Sequence, residues 1–266
     1  MNKILIYLFT FAVCGQLHAQ NLDDITRRTT LQEKPPLAYP ALSERDLFWE
    51  HRVWRVIDVR EKMNLPFINP ERPLFDIITE AAEQSKITLY SAETDDFSLP
   101  LQPEEVQQIL FSRDTVEIWT DTETTTLQEI TNEIYFEDIK RWRIKEVWYF
   151  DSNASVMRCR ILGIAPLREV YDDWGNFKYE QPLFWVHYPS ARSVFAREQV
   201  FNAGNQAART SWEDLFEMRR FAGVAYKESD VLNRRLSDMY SGVDRLLEAD
   251  KIDAKVFNFE QDVWSK

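Results

Sequence analysis

The sequence predicts an α+β fold, in which helices pack on a mixed or antiparallel sheet and the C-terminal part is helical. Segments with helical spacing of apolar residues alternate with short segments of period-two alternation. A long hairpin is readable from Arg143 to Leu167, where two alternating segments flank the turn sequence DSNAS. Nine tryptophans in 266 residues supply large side chains for a core.

The first 20 residues have the pattern of a secretory signal peptide. Lys3 gives a short basic start, residues 4–13 are apolar but too short to span a bilayer, and Leu17-His18-Ala19 offers a cleavage site. Val13 precedes Cys14, where a lipoprotein signal requires a small residue, so we expect cleavage near residue 20 without lipidation. An extended arm, 21–42, and a single α+β domain, 43–266, are predicted to follow.

The first element after the arm is predicted to be a helix. Ser43 is a suitable N-cap, and Trp49, Val53 and Val56 follow at helical spacing through the segment HRVWRVIDVREKMN. A second helix is predicted to start at Pro73, because a first helical turn tolerates proline.

Short strands and a helix are predicted through the middle of the chain. KITLYS, residues 86–91, and DTVEIWT, residues 114–120, have strand composition, whereas PEEVQQILF, residues 103–111, is typical of a helix with proline at its start. Residues 121–131 are rich in Thr and Glu, and they are predicted to form a surface loop.

The hairpin is predicted to carry different side chains on its two faces. On its first strand Trp142, Ile144, Trp148 and Phe150 share one face, with Glu146 as an exception. The other face carries the cations Arg141, Arg143 and Lys145, joined by Val147 and Tyr149. YDDWGN is predicted to form the next turn. FKYEQPLFWVHYP then forms a strand that proline interrupts, which marks a bulge or an edge.

C-terminal helices are predicted from about residue 211. SWEDLFEMRRF starts with a Ser-x-x-Asp cap. A stripe of apolar residues, weakened by Gly242, is then predicted along one helix. The stripe comprises Leu232, Leu236, Met239, Val243 and Leu246.

The acidity of the chain argues against two classes of partner, nucleic acids and anionic membrane surfaces. The formal net charge is −12, and removal of the signal peptide would take one lysine and no acid. Nucleic-acid binding needs an excess of Lys and Arg on a surface, and an anionic membrane surface likewise attracts cations. A basic partner protein is compatible with the acidity, which also keeps an exported protein in solution.

No motif predicts catalysis, a cofactor or a metal. The six glycines are too dispersed to build a phosphate-binding loop. His51 and His187 lie on different elements without metal-ligand spacing. Cys159 is interpreted as a small buried residue. Two alternatives remain open: an exported enzyme that uses Cys159 or a carboxylate pair, and a small-ligand binding protein built around the Trp-rich hairpin.

Six residues are candidates for an interface between subunits. Trp and Arg are favoured at interaction hot spots, and clustered cations are unusual in an acidic chain. These cations either bind acids of a neighbour or pair within the same subunit, and the sequence leaves both interpretations open. The candidates are Trp49, Trp54 and Arg55 on the first predicted element, and Arg141, Arg143 and Lys145 on the hairpin.

Five motifs carry a family resemblance. They are HRVWRVIDVREKMNLPF, RIKEVWYFDSNASVMRCRILGIAPL, PLFWVHYPSAR, NAGNQAARTSWEDLFEMRRF and the terminal DVWSK. In this order they resemble the GldN/PorN family of the type IX protein secretion and gliding-motility machinery.

The resemblance implies a non-catalytic structural protein of the periplasm, associated with the outer membrane through a lipoprotein partner. Family members form rings with that lipoprotein, GldK or PorK, and the rings communicate with the periplasmic part of the GldL/GldM motor. The expected partners are therefore a GldK/PorK-like lipoprotein, a GldM-like motor component and further copies of the chain, with no membrane span of its own. The family supplies no catalytic residues.

Overall fold

The structure is a computed structural model that describes residues 31, 34–121, 124–172, 174–202, 204–205 and 207–264. The predicted signal peptide and the first part of the predicted arm lie outside these residues.

The described chain folds into strands and helices in mixed order. The strands are β1 Leu47–Asp58, β2 Leu89–Tyr90, β3 Phe111–Asp121, β4 Thr124–Glu133, β5 Ile139–Asp151, β6 Val156–Tyr171, β7 Phe177–Pro182, β8 Trp185–His187, β9 Gln199–Val200, β10 Thr210–Ser211 and β11 Val224–Glu228. The α-helices are α1 Leu74–Glu83, α2 Pro103–Leu110, α3 Tyr188–Phe195, α4 Trp212–Glu217, α5 Leu236–Met239 and α6 Gly242–Trp264. Short 3-10 helices are Glu44–Asp46, Lys62–Ile68 and Phe136–Asp138.

One large antiparallel sheet organises the molecule. Its strand order is β11-β1-β5-β6-β8-β2, and β7 pairs with the far end of β6. Two small sheets, β3–β4 and β9–β10, complete the strand pairing. The α+β prediction is confirmed. The main sheet is open between β11 and β2, so it is not the closed barrel on which the ligand-binding alternative depended.

The predicted hairpin is confirmed as β5 and β6. Trp142 and Ile144 are buried in the main core, and a register shift follows Lys145. Lys145 and Glu146 are consecutive and both buried, because each face of the sheet is covered by other parts of the chain. Glu146 lies on the same face as Trp142, as the alternation predicts.

Two cores lie on that face of the sheet. The larger one gathers α1, α3 and α4 over Ile57 of β1 and Trp142 of β5. The smaller one joins Val53 of β1 to Ala249 and Ile252 of α6. Ile57 and Val53 are four residues apart on one strand, so both cores share β1 as a wall.

The helix predicted from Ser43 to the end of HRVWRVIDVREKMN is wrong, because this segment contains β1 and only short 3-10 turns. β1 pairs with β5 on one side and β11 on the other. Both of its faces are covered, so Val53 and Trp54 are consecutive and both buried. Apolar residues on both faces also recur at intervals of three and four, which imitates a helix. The aromatic and β-branched composition favours the strand.

The surface loop predicted at 121–131 is also wrong, because β4 begins at Thr124 and pairs with β3 along its length. Threonine is well suited to strands. This two-stranded ribbon has polar composition, and that composition resembles a loop.

The C-terminal stripe is not one helix. Gly242 has a φ of +55°, which suits glycine, and it separates α5 from α6. Of the stripe, Leu236 alone is buried, whereas Val243 and Leu246 are 69% and 51% exposed. Strand β11 also interrupts the predicted run of helices. The predicted Ser211 cap of α4 is confirmed, since Ser211 accepts a hydrogen bond from the Asp214 amide.

Candidate assembly surfaces

A buried ion cluster fixes α6 to the sheet. Glu146 is 0% exposed, and its carboxylate accepts hydrogen bonds from Arg55 Nε at 3.0 Å and Arg219 Nη1 at 2.8 Å. The indole of Trp148 donates a third bond at 3.2 Å. Arg55 also forms a two-bonded ion pair with Asp253 of α6. Two cations therefore face two anions, and this balance permits the burial of Glu146 and Arg55 between the two cores.

Cys159 is half-buried, not fully buried as its interpretation as a small buried residue implied. It lies beside this cluster, with its Sγ 3.2 Å from Arg219 Nη1. Burial, followed by the charge of Glu146, raises the pKa of the Cys159 thiol above its ordinary value. The thiol is therefore protonated at neutral pH and is a poor nucleophile. This is the opposite of what the enzyme alternative needs from Cys159.

The two histidines stay apart. His51 pairs with Glu228 at 2.8 Å, and His187 contacts Ser190 at 3.2 Å. Within the described ranges, no group of three His, Cys, Asp or Glu side chains is placed to hold a metal ion.

On the opposite face of the sheet, the loop 91–100 covers a cationic patch that contains Lys145. Lys145 is 8% exposed, and its ammonium donates to the Asp95 carbonyl and lies 5.4 Å from the Phe97 ring. Phe97 packs over Gly163, where a Cβ would approach the ring to 2.5 Å. The loop 91–100 therefore depends on glycine at this position of β6.

The structure gives each of the six interface candidates a contact within the chain. Trp54, Arg55 and Lys145 are buried, whereas Trp49, Arg141 and Arg143 are half-buried. The contacts are Trp49 stacked on Phe259 at 4.5 Å, Trp54 under Lys227 at 4.3 Å, Arg55 on Glu146, Arg141 on Asp58 at 3.1 Å, Arg143 over Tyr226 at 5.2 Å and Lys145 on Asp95. Their role between subunits stays a prediction.

Part of the predicted arm is bound to the domain. Residues 34–42 have no regular structure, and Tyr39 lies over the guanidinium of Arg192 at 3.7 Å while its hydroxyl donates to Glu217 at 2.6 Å. Lys34 forms an ion pair with Asp214 of α4. This part of the predicted arm is held against α3 and α4.

An apolar groove opens between the 3-10 helix Lys62–Ile68 and the segments around residues 201 and 219. Its volume is about 780 Å³. Met63 and Leu65 line it and are 57% and 48% exposed, and Phe201 is 42% exposed. The three charged side chains among its described lining residues are all cations: Lys62, Arg219 and Arg220. We call this feature the groove.

An aromatic tip projects where β6 and β7 pair beyond the main sheet. β5 pairs with β6 only up to Arg168, so the rest of β6 pairs with β7 alone. Trp174, in the turn, is 85% exposed. The other exposed aromatic residues of the tip are Tyr171, Phe177 and Tyr179. We call residues 169–172 and 174–180 the tip.

The sequence analysis did not predict that the groove or the tip is an exposed surface. YDDWGN is correctly predicted as a turn, since the Asp172 carboxylate accepts the backbone amides of Trp174 and Asn176. An aromatic residue between two acids and a glycine is the signal that could have drawn attention to the tip. The groove combines three segments distant in sequence, and no local signal indicates it.

The comparisons address the chain as a whole. A family model described as "Gliding motility associated protein GldN" matches residues 42–265. The curated proteins give no significant match. In the part of the chain that the structure describes, no helix combines the length and apolar character needed to cross a bilayer. Because the matched region covers nearly the whole chain, the chain belongs to the GldN family of gliding-motility-associated proteins.

Proposed function

We propose that this chain is a non-catalytic structural subunit of the type IX protein secretion and gliding machinery. It forms a periplasmic ring with a GldK/PorK-like lipoprotein of the outer membrane, and it couples that ring to a GldM-like component of the motor. The family match over residues 42–265 is the observation that carries the proposal. The protonated state favoured for Cys159 is consistent with a role without catalysis.

A chromosomal deletion tests the role in the machinery. Cells without this chain are expected to lose gliding and to retain type IX substrates, and a plasmid copy is expected to restore both. A Cys159→Ala copy is expected to restore them equally, because the proposal assigns no chemistry to the thiol. Normal gliding and secretion in the deletion strain would contradict the proposal.

Purification from cell envelopes tests location and partner. The tagged chain is expected to co-purify with the lipoprotein in the outer-membrane fraction, on the side of the membrane that faces the periplasm. Its intact mass is expected to correspond to a start near residue 20 without acyl groups. A diacylglyceryl group on Cys14 would show that the chain anchors itself rather than relying on the lipoprotein.

A further inference from the structure

The groove and the tip are complementary surfaces on one chain. We propose that they bind each other between two copies, so that the tip of one copy enters the groove of the next. This inference rests on the proposed function as a self-associating subunit, and it names the surfaces that join the copies.

The first argument is apolar complementarity. Trp174 leaves 85% of its surface in solvent, which is unusual for the largest apolar side chain, and the tip carries three further exposed aromatic residues. The groove has a volume of about 780 Å³, within the range of cavities that enclose drug-sized molecules. It therefore has room for an indole and a neighbouring ring. Aromatic side chains that fill such cavities are typical anchors of protein interfaces.

The second argument is charge complementarity. Lys62 and Arg220 of the groove pair with no carboxylate in the described ranges, and Arg219 is already bound to Glu146. The tip has the opposite charge, because its described residues include the acids Glu169, Asp172 and Glu180 against Lys178 alone, although Glu180 is already bound to Arg141. Cations at the rim of an apolar groove thus match acids around an aromatic anchor, in a chain whose net charge of −12 otherwise opposes self-association.

The third argument concerns symmetry. The groove and the tip are different surfaces, so a contact between them is heterologous, and each copy retains one free groove and one free tip. Such a contact repeats from copy to copy. It closes a ring when the rotation between neighbours permits closure, and otherwise it forms an open filament.

A mixing experiment on the full exported chain tests the inference. Sedimentation velocity is expected to show wild-type assemblies that grow with protein concentration. Trp174→Ala removes the anchor. A Met63→Glu, Arg220→Glu double variant puts acids in the groove in place of an apolar residue and a cation. Each variant is expected to weaken self-association about tenfold or more. Both changes are at exposed positions and leave the core intact. Phe48→Ala and Lys86→Glu, at exposed positions outside both surfaces, are the matched controls and are expected to assemble normally.

An equimolar mixture of the two variants gives the decisive result. One variant has an intact groove and the other an intact tip, so the mixture is expected to form a one-to-one dimer and nothing larger. A mixture that stays monomeric, or a wild-type chain that is monomeric at every concentration, overturns the inference. So does assembly that appears only when the lipoprotein is added, because the lipoprotein would then be the occupant of these surfaces.

Cysteine cross-linking distinguishes contacts between copies from contacts within one copy. In a Cys159→Ala background, Trp174→Cys and Met63→Cys are expected to give a ladder of covalent multimers on oxidation. A closed monomer shows that the tip reaches its own groove, and an absence of cross-links shows no contact; both overturn the inference. If the deletion strain loses gliding while Trp174→Ala restores it with full-size complexes, the proposed function survives and this contact does not.

Discussion

At the scale of single residues, Glu146 is the most constrained side chain of the ion cluster. It receives hydrogen bonds from Arg55, Arg219 and Trp148 with no access to solvent. Its position between the two cores means that a change there disturbs both of them. The sequence indicated only that an acid interrupts an apolar face of the hairpin, because the two arginines that bind it come from other strands and turns.

We expect Glu146→Gln to destabilise the fold by about 3–5 kcal/mol, because it leaves the buried guanidinium of Arg55 with one anion fewer. Urea denaturation followed by tryptophan fluorescence measures the loss. The control is Glu71→Gln, at an exposed position without a partner in the described ranges. Its free energy of unfolding is expected to lie within about 0.5 kcal/mol of the wild-type value. Equal stabilities of the two variants would show that Glu146 does not stabilise the fold.

The Cys159 thiol leads to a prediction about pH. Its pKa is raised in the folded state, so the native thiolate fraction stays low above pH 8, where an unfolded cysteine ionises. We expect a disulfide reagent to label Cys159 slowly at pH 8 in the folded protein and rapidly in denaturant. The native rate is expected to rise only at still higher pH. Rapid native labelling at pH 7 would restore the enzyme alternative.

At the scale of elements, the loop 91–100 depends on one glycine of β6. Gly163→Ala places a methyl group 2.5 Å from the Phe97 ring, and Phe97 already has a φ of 59°, which is unfavourable for a bulky residue. We expect the free energy of unfolding to fall by about 1–3 kcal/mol. We also expect faster amine labelling of Lys145, because the Phe97 ring moves off the cationic patch.

Gly204→Ala is the control for this change, because its nearest neighbour is an Asn202 oxygen at 3.6 Å. It is expected to change neither stability nor labelling. If Gly163→Ala leaves Lys145 protected, the loop covers the patch without help from Phe97.

The arm is held through Tyr39, through Lys34 and through the backbone of Leu37 and Pro40. We expect Tyr39→Ala to release residues 34–40, because it removes both the contact with Arg192 and the hydrogen bond to Glu217. Hydrogen exchange measures the release, and the core amides are expected to remain protected. Tyr39→Phe keeps the ring over Arg192 and is expected to give an intermediate effect. Unchanged exchange in Tyr39→Ala would show that the bonds made by Lys34, Leu37 and Pro40 are sufficient to hold the arm.

Local signals predicted the elements that local interactions determine. Ser211 caps α4, Pro73 directly precedes α1 and DSNAS turns the β5–β6 hairpin, and each lies next to the segment it organises. β1 was predicted as a helix because its partners, β5 and β11, lie about 90 and 170 residues farther along the chain, and only pairing with them covers both of its faces. The groove was not predictable for the same reason, since its walls meet only in the folded chain.

At the scale of the whole molecule, the two cores are coupled. Val53 belongs to the smaller core and Ile57 to the larger one, on the same strand. We therefore expect one cooperative unfolding transition, with coincident curves from tryptophan fluorescence and far-ultraviolet circular dichroism. An early transition confined to helical signal would show that α6 unfolds separately. Asp253→Ala removes the ion pair between Asp253 and Arg55. Separate unfolding of α6 is most easily detected in this variant.

The length of β6 has a mechanical consequence. This strand has 16 residues and runs from the middle of the sheet, where it pairs with β5, out to the tip. A pull on the tip along the strand axis loads the backbone hydrogen bonds between β5 and β6 together, in shear. A pull across the strand opens the same bonds one after another. The domain is therefore expected to be stiff along β6 and weak across it, so a load applied at the tip is best sustained when it follows this strand.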